Sequence, residues 1–453
     1  MAVALDSQPI CDRHLKSDEL PAASRDSACG QRAVVSARET YRVRTIFPGT
    51  AMLCFAALLY ACSSDPRASP SRPFPGCEMH DLAPCDTKTV ACQESRFQFA
   101  ACLRGAVGGT PPPLTLMTEE DYVTYTNASS EGRDLHTNHY EIAMTWLGLA
   151  QPGSFNFVPL TKESIANWFG TYRWRQRDLL VIDHGTPAFD VGSNVALVAA
   201  LIRALRDRDI QIGTWTTAVS VNDVDSNWGA DAMWFGEGRF FSNRYQAALD
   251  GRDPSADEIA RINAGIADDI AWIRAQPSTY LATNARFAAN FGARATYLAW
   301  KRGGVDAVNA LYADKLITHQ LMASDTEELA APTLKYHARP RAPDEWDQDP
   351  LVTAVGAWGL YLALGRSLQS ELAWSLALGW SGEQLFVFKG VDPNQGETAL
   401  VWQLETADET SASSLEAALM TAIPSAGVRR NGSFITLAMA SNETPLDWAF
   451  VAD

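Results

Sequence analysis

The stretch SNVALVAALIRALRDRDIQIG, residues 193–213, constrains the fold of this chain more than any other feature of its sequence. Apolar residues run from Val195 to Leu205, and Arg203 is the only charged residue among them. A helix that is apolar on all sides is normally buried, and a buried arginine needs a partner. We therefore expect a central buried helix, with Ser193 as its N-cap and a compensating group opposite Arg203.

An export signal is predicted upstream of this helix. Arg42 and Arg44 precede an apolar run of residues 51–61, which is too short to span a bilayer but is typical of a signal-peptide core. The run ends in LYAC, which resembles the bacterial lipoprotein box, in which the cysteine receives a lipid. We therefore expect residues 1–61 to be a leader with a signal peptide, and Cys62 to anchor the protein in the bacterial cell envelope, facing the periplasm or the exterior. The alternative is a buried core segment.

Four further cysteines follow within a short segment: Cys77, Cys85, Cys92 and Cys102. After an export signal, an even number of closely spaced cysteines predicts two disulfide bonds, and the sequence leaves all three pairings open. A zinc site is the alternative, but no two of these cysteines have the spacing of a structural zinc site. Residues 62–113 are thus expected to form a linker and a cysteine-rich segment.

The rest of the chain is predicted to be α+β, with a domain over residues 114–340 and a small α+β module over residues 350–453. In the first, TYRWRQRDLLVID predicts a strand pair. DVDSN, residues 223–227, only superficially resembles a calcium loop, because the glycine and the closing glutamate are misplaced. The formal net charge of −16 argues against a nucleic-acid partner, because phosphate binding needs a basic surface.

The order of elements carries a resemblance. A strand ends in VIDHG, a buried helix ends in ALRD, and a later segment contains FGEG. This order resembles exported bacterial lipoproteins of the zincin-type metallopeptidase-like family, which are built around a His-Glu-x-x-His helix of the pattern HELxHALQD and a downstream glutamate. AALIRALRD, residues 199–207, falls on that helix, and Glu237 falls on the downstream glutamate. The resemblance covers roughly residues 115–410 and implies a zincin-like fold for residues 114–340.

The ligand positions depart from this pattern. Ala199 and Arg203 stand at the two histidine positions, Ala200 stands at the general-base position, and only Glu237 is retained. Zinc needs two imidazoles one turn apart, and the base must take a proton from metal-bound water. Alanine supplies no ligand, and arginine stays protonated. The departure predicts a degenerate, non-catalytic site without a zinc cofactor, in a protein that binds a peptide or an envelope partner.

Charge predicts what replaces the metal. If Arg203 and Glu237 occupy ligand positions, their side chains converge, and we expect the guanidinium to pair with the carboxylate. Ala199 and Ala200 are then expected to form the floor of one apolar pocket. One alternative is an active peptidase in which His184 and Glu237 hold a metal. Another is a purely structural envelope protein.

Overall fold

The computed structural model describes residues 76–77, 82–130, 138–151, 160–166, 168–185, 190–217, 224–275, 280–313, 316–323, 339–392, 397–441 and 446–450. Residues 1–61 and Cys62 lie outside these residues, so the signal peptide and the lipid anchor stay predictions. In the part of the chain that is described, no helix is both long enough and apolar enough to cross a membrane.

The described elements form a mixed α+β fold, as expected. The helices are α1 (Val90–Arg104), α2 (Glu119–Ser130), α3 (Asn138–Trp146), α4 (Lys162–Ile165), α5 (Val191–Ile210), α6 (Ile212–Thr217), α7 (Val224–Leu249), α8 (Glu258–Ala275), α9 (Tyr280–Ala310), α10 (Thr318–Met322), α11 (Gly356–Gly365), α12 (Ser370–Leu378) and α13 (Glu409–Ala422). The strands are β1 (Leu114–Thr118), β2 (Gly170–Arg173), β3 (Asp178–Asp183), β4 (Leu351–Thr353), β5 (Trp380–Lys389), β6 (Thr398–Thr406), β7 (Gly427–Asn431) and β8 (Phe434–Ala440). A short 3-10 helix covers Asp447–Phe450.

The first sheet has the strand order β1-β3-β2. The antiparallel β2–β3 pair confirms the strand pair expected from the sequence, whereas β1, parallel to β3, was not expected. Side chains of β3 are buried on both faces: Leu179 and Val181 belong to the same core cluster as α5, whereas Leu180 and Ile182 pack with Tyr122 of α2 and Ile165 of α4. The second sheet is antiparallel throughout, in the order β4-β5-β6-β8-β7. It contains the strands and the final hairpin expected in residues 350–453.

Helix α5 is the expected central buried helix, but its N-cap is Asp190 and not Ser193. The Asp190 carboxylate accepts a hydrogen bond from the Ser193 backbone N–H at 2.8 Å. Asp190 has the extended backbone of a cap residue, so the helix begins three residues earlier than expected with Ser193 as the N-cap. Ser193 lies in the first turn of the helix and is buried.

Glycines allow α7 to approach its neighbouring helices closely. A Cβ atom on Gly236 would lie 2.1 Å from the backbone carbon of Gly292 in α9, so any larger residue would push the two helices apart. On another side of α7, a Cβ atom on Gly238 would lie 3.0 Å from the Ala199 carbonyl oxygen in α5. Helix α7 is thus packed between α5 and α9 at near-backbone contact.

Residues 350–453 do not form a separately packed module. A single cluster of buried hydrophobic side chains runs from the disulfide-bearing segment to β8. The centre of the Phe291 ring of α9 lies 5.5 Å from the centre of the Trp358 ring of α11 and 5.9 Å from that of Trp374 of α12, which packs against the cluster. The boundary expected near residues 340–350 therefore separates segments of the chain but not hydrophobic cores.

The cysteine-rich segment is stapled by two disulfides, as predicted, and the structure selects Cys77–Cys102 and Cys85–Cys92. The segment is also docked on α5. The Asn194 side chain of α5 accepts from the backbone N–H of Cys85 and donates to its carbonyl oxygen. The disulfide-bearing segment is therefore part of the core, and α1 lies against α5 and α7.

Candidate functional site

The face of α5 that carries the resemblance lies against α7. Ala199, Arg203 and Arg206 follow one another at i, i+4 and i+7, which places them on one face of a helix. Gly238 of α7 lies against the Ala199 carbonyl and the Arg203 Cγ atom. Because Glu237 precedes Gly238, the crossing of α5 and α7 brings the expected ligand positions to one region of the core.

The carboxylate of Glu237 is held by arginines other than the one expected. Arg206 donates two hydrogen bonds, from Nε to Oε2 and from Nη2 to Oε1, each 2.8 Å long. Arg104 of α1 donates from Nε to Oε1 at 2.8 Å. Tyr312 lies in the segment that follows α9, and its hydroxyl donates to Oε2 at 2.7 Å. Glu237 is 1% exposed, so four hydrogen bonds from three side chains replace its hydration.

The predicted pairing of Arg203 with Glu237 is therefore wrong. The Arg203 guanidinium carbon lies 5.2 Å from the centre of the Phe235 ring, a cation–π contact, while the next arginine on the same face takes the carboxylate. Arg206 is three residues closer to the C-terminus of α5, and with two hydrogen bonds to Glu237 it makes the guanidinium–carboxylate pair that was expected of Arg203. The sequence thus predicted the correct face of α5 but placed the partner of Glu237 about one helical turn too early.

The predicted common floor of Ala199 and Ala200 is also not formed. Ala199 lies at the crossing with α7, whereas Ala200 lines a small cavity between α5 and the first sheet. Adjacent residues of a helix point about 100° apart, so the two methyl groups face different neighbours. The sheet side of this cavity is formed by residues of β3 and by Gly170 of β2.

Charge balance keeps Glu237 ionised. Burial alone would raise the pKa of Glu237, but the charge and hydrogen bonds of Arg206, together with the charge of Arg104, outweigh burial and hold this pKa below its ordinary value. Burial and the negative charge of Glu237 raise the pKa of Tyr312, so Tyr312 stays a neutral donor. Arg104 also donates to Asp209 at 2.6 Å, which ties the cluster to a partly exposed carboxylate.

These residues do not fit the zinc that the resemblance implies. Ala199 and Ala200 have no ligand atom, and Arg203 brings a positive charge. Both carboxylate oxygens of Glu237 already accept hydrogen bonds, three of them from guanidinium groups. A cation approaching Glu237 would have to displace these guanidiniums.

The alternative metal pair is not brought together either. Nδ1 of His184 contacts a carboxylate oxygen of Glu119, and Nε2 contacts the Trp168 carbonyl oxygen. Both ring nitrogens are thus used at the carboxyl ends of β1 and β3, while Glu237 is bound by arginines in the helical core. In the structure, His184 links the start of α2 to the first sheet through these two contacts.

Three residues of the Glu237 cluster were missed by sequence reasoning: Arg104, Arg206 and Tyr312. For Arg206 a signal exists, because it stands seven residues after Ala199 and replaces the glutamine of HALQD. Arg104 lies in the cysteine-rich segment, 133 residues from Glu237, and no local pattern connects the two. Tyr312 likewise carries no local signal.

Comparison with known proteins adds no family to this geometry: no protein family, no curated protein and no solved structure matches the chain.

Proposed function

We propose that this chain is an exported, lipid-anchored protein of the bacterial cell envelope whose zincin-like domain is non-catalytic, a pseudoenzyme of the metallopeptidase type. The order of elements supports the zincin-like assignment. The observation that carries the loss of catalysis is the Glu237 carboxylate, which is bound by Arg206 and Arg104 and not available to a metal.

Two guanidinium groups can replace a divalent cation in charge but not in chemistry. A buried carboxylate needs positive charge beside it, and Arg104 and Arg206 together carry the same charge as Zn²⁺. An arginine offers only N–H donors, however, and has no open coordination position that could lower the pKa of a bound water. On this proposal the cluster keeps the joining role of the metal between α5 and α7 and lacks its hydrolytic role.

Binding is the activity that remains for such a domain. We propose a peptide or an envelope protein as the partner. The anchor at Cys62 would hold the domain at the membrane, close to such partners. A pull-down from envelope extract with the purified protein as bait tests this part. Specific recovery of one partner supports binding, whereas recovery of none favours the purely structural alternative.

The lipid anchor is tested by metabolic labelling with a clickable fatty acid. We expect the wild-type protein to be labelled and the Cys62→Ser variant to be unlabelled. Equal labelling of both proteins would remove the anchor from the proposal and leave the rest of it untouched.

Zinc content and proteolysis test the loss of catalysis. We expect the purified protein to contain well under one zinc per chain and to show no chelator-sensitive cleavage of casein. One tightly bound zinc per chain, with cleavage abolished in Glu237→Gln, would overturn the proposal in favour of an active peptidase.

A grafted metal site tests the zincin-like geometry itself. The variant Ala199→His, Ala200→Glu, Arg203→His, Arg206→Gln restores the pattern HExxHALQD and removes one hydrogen bond from each carboxylate oxygen of Glu237, so that Oε1 keeps Arg104 and Oε2 keeps Tyr312. A matched control places two histidines at the same i, i+4 spacing on the exposed face of α13, as Ser413→His with Ala417→His. We expect the graft to bind zinc more tightly than the control, because Glu237 adds a third ligand. Equal affinities would contradict the zincin-like placement.

A further inference from the structure

Two buried carboxylates meet at the N-terminus of α11, outside the Glu237 cluster. Asp225 lies at the start of α7 and is 3% exposed, and Glu383 lies on β5 and is 7% exposed. Gly356 separates them. Its backbone N–H donates to Oε1 of Glu383 at 2.5 Å, and a Cβ atom at this position would lie 1.9 Å from Oδ1 of Asp225. Both carboxylates are therefore packed against the same glycine.

Only neutral donors from the described residues bind Glu383. Oε1 accepts from the backbone N–H groups of Val355 and Gly356, and Oε2 accepts from the Trp402 indole N–H at 2.5 Å. Asp225 accepts from the backbone N–H of Thr318 at 2.9 Å and from its hydroxyl. Glu237 accepts hydrogen bonds from two guanidinium groups, whereas Glu383 accepts none from a guanidinium group among the described residues.

Among the described residues, no salt bridge balances the negative charge of an ionised Glu383. From α7 it faces the negative charge of Asp225. On β6, Glu405 is paired with Gly382, so its side chain lies on the opposite face of the sheet from Glu383. On α10, the His319 Nε2 atom lies 3.0 Å from the Leu378 carbonyl oxygen.

Helix α3 packs on the second sheet, and strand β4 is an edge strand of that sheet. The His139 ring of α3 contacts Thr398, which begins β6 six residues before Leu404, the residue that pairs with Glu383, and Glu141 follows on the same helix. Strand β4, Leu351–Thr353, is uncharged. Asp225 is thus the charge that acts on Glu383 most directly.

We propose that Asp225 and Glu383 form a proton-dependent joint between α7, the start of α11 and the C-terminal sheet. One proton on Glu383 keeps the joint closed, and loss of that proton loosens it. Two ionised carboxylates against one glycine repel each other in a site with little water, so the ionised state must admit water or separate the elements. Burial, reinforced by the negative charge of Asp225, raises the pKa of Glu383 to about 8 against the opposing effect of the N–H donors.

The protonation state is measured by infrared difference spectroscopy on the full-length protein. Wild type minus Glu383→Gln should show the C=O stretching band of a protonated carboxyl at pH 6, and the band should be lost as the pH passes through about 8. Absence of the band at pH 6 would overturn the proposal.

The loosening is measured by hydrogen exchange of the peptide that contains Val355 and Gly356. Exchange in wild type relative to Glu383→Gln at each pH should be constant below pH 7 and should increase between pH 7 and 9. A constant ratio over the whole range would mean that the proton does not control the joint.

Asp225→Asn separates the pair from simple burial. Removing the negative charge should move the loss of the infrared band in the Asp225→Asn protein to lower pH, and an unchanged titration would show that Asp225 does not act on Glu383. Glu405→Gln is the matched control on the other face of the sheet and should keep the wild-type titration. If Glu383→Gln does not fold, the shift between wild type and Asp225→Asn still decides the question.

Discussion

Glu237 and Glu383 are both buried glutamates, but the protein treats them in opposite ways. Glu237 lies among helices and is held by two guanidinium groups, which keep its pKa below the ordinary value against the effect of burial. Glu383 lies between a helix N-terminus and a sheet and faces another carboxylate, so burial raises its pKa to about 8. Both glutamates are buried, so the charge beside each one decides whether its pKa lies below or above the ordinary value.

The two sites therefore stabilise the protein over different pH ranges. The lowered pKa of Glu237 contributes stability that is present above its unfolded pKa and is lost as the pH falls through the folded pKa. The raised pKa of Glu383 contributes stability that is complete below its unfolded pKa, near 4.5, and is lost as the pH rises to about 8. Each glutamate thus has its own signature in a pH-dependent unfolding experiment.

Of the changes considered, the pH dependence that Glu383 adds should alter the free energy of unfolding most. Each pH unit between 4.5 and 8 should remove about 1.4 kcal/mol from the free energy of unfolding of wild type relative to Glu383→Gln, about 5 kcal/mol in all. Glutamine places a second donor beside Trp402, which adds an offset that does not vary with pH. Urea unfolding at several pH values measures the difference, and parallel curves for the two proteins would remove Glu383 from the comparison.

Breaking the Glu237 cluster should have the next largest effect. Arg206→Met removes two hydrogen bonds and a charge from a buried carboxylate, so we expect a loss of about 3–5 kcal/mol in the free energy of unfolding at pH 7. The double variant Arg206→Met with Glu237→Leu should recover part of that loss, because no unpaired carboxylate remains. Losses that add in this double-mutant cycle would show that the two side chains are not coupled.

Loss of the disulfide nearest the cluster should have a smaller effect. Cys102 lies two residues before Arg104, and its bond to Cys77 closes a loop of 25 residues. The Cys77→Ser, Cys102→Ser variant should lose about 2–4 kcal/mol. Arg104 connects this segment to Glu237 through its hydrogen bond, so the rate of hydrogen exchange should rise in α1 and in α7 near Glu237. An equal rise at Val355 and Gly356 would indicate global destabilisation and not an effect on the cluster.

The sequence predicted the elements of this fold better than its long-range partners. The apolar run of α5, the β2–β3 pair and the strands of residues 350–453 follow from local periodicity, and the structure confirms them. The number of disulfides follows from counting, but their pairing depends on the three-dimensional fold of the segment, which the spacing of the cysteines leaves open. The partner of Glu237 was misassigned by one turn, because the pattern fixes the face of α5 but not which of two arginines on that face reaches the carboxylate.

The smallest expected effect concerns Arg203, the residue that first raised the question of a partner. Its guanidinium lies over the Phe235 ring and the residue is 8% exposed, so Arg203→Ala removes a cation–π contact and some packing, while Glu237 keeps its hydrogen bonds from Arg206 and Arg104. We expect a loss of about 0.5–2 kcal/mol, smaller than that of Arg206→Met on the same face of the same helix. The pair of variants is compared by chemical denaturation at pH 7. A loss in Arg203→Ala as large as that in Arg206→Met would return Arg203 to the role of counter-charge and would break the distinction between the two arginines.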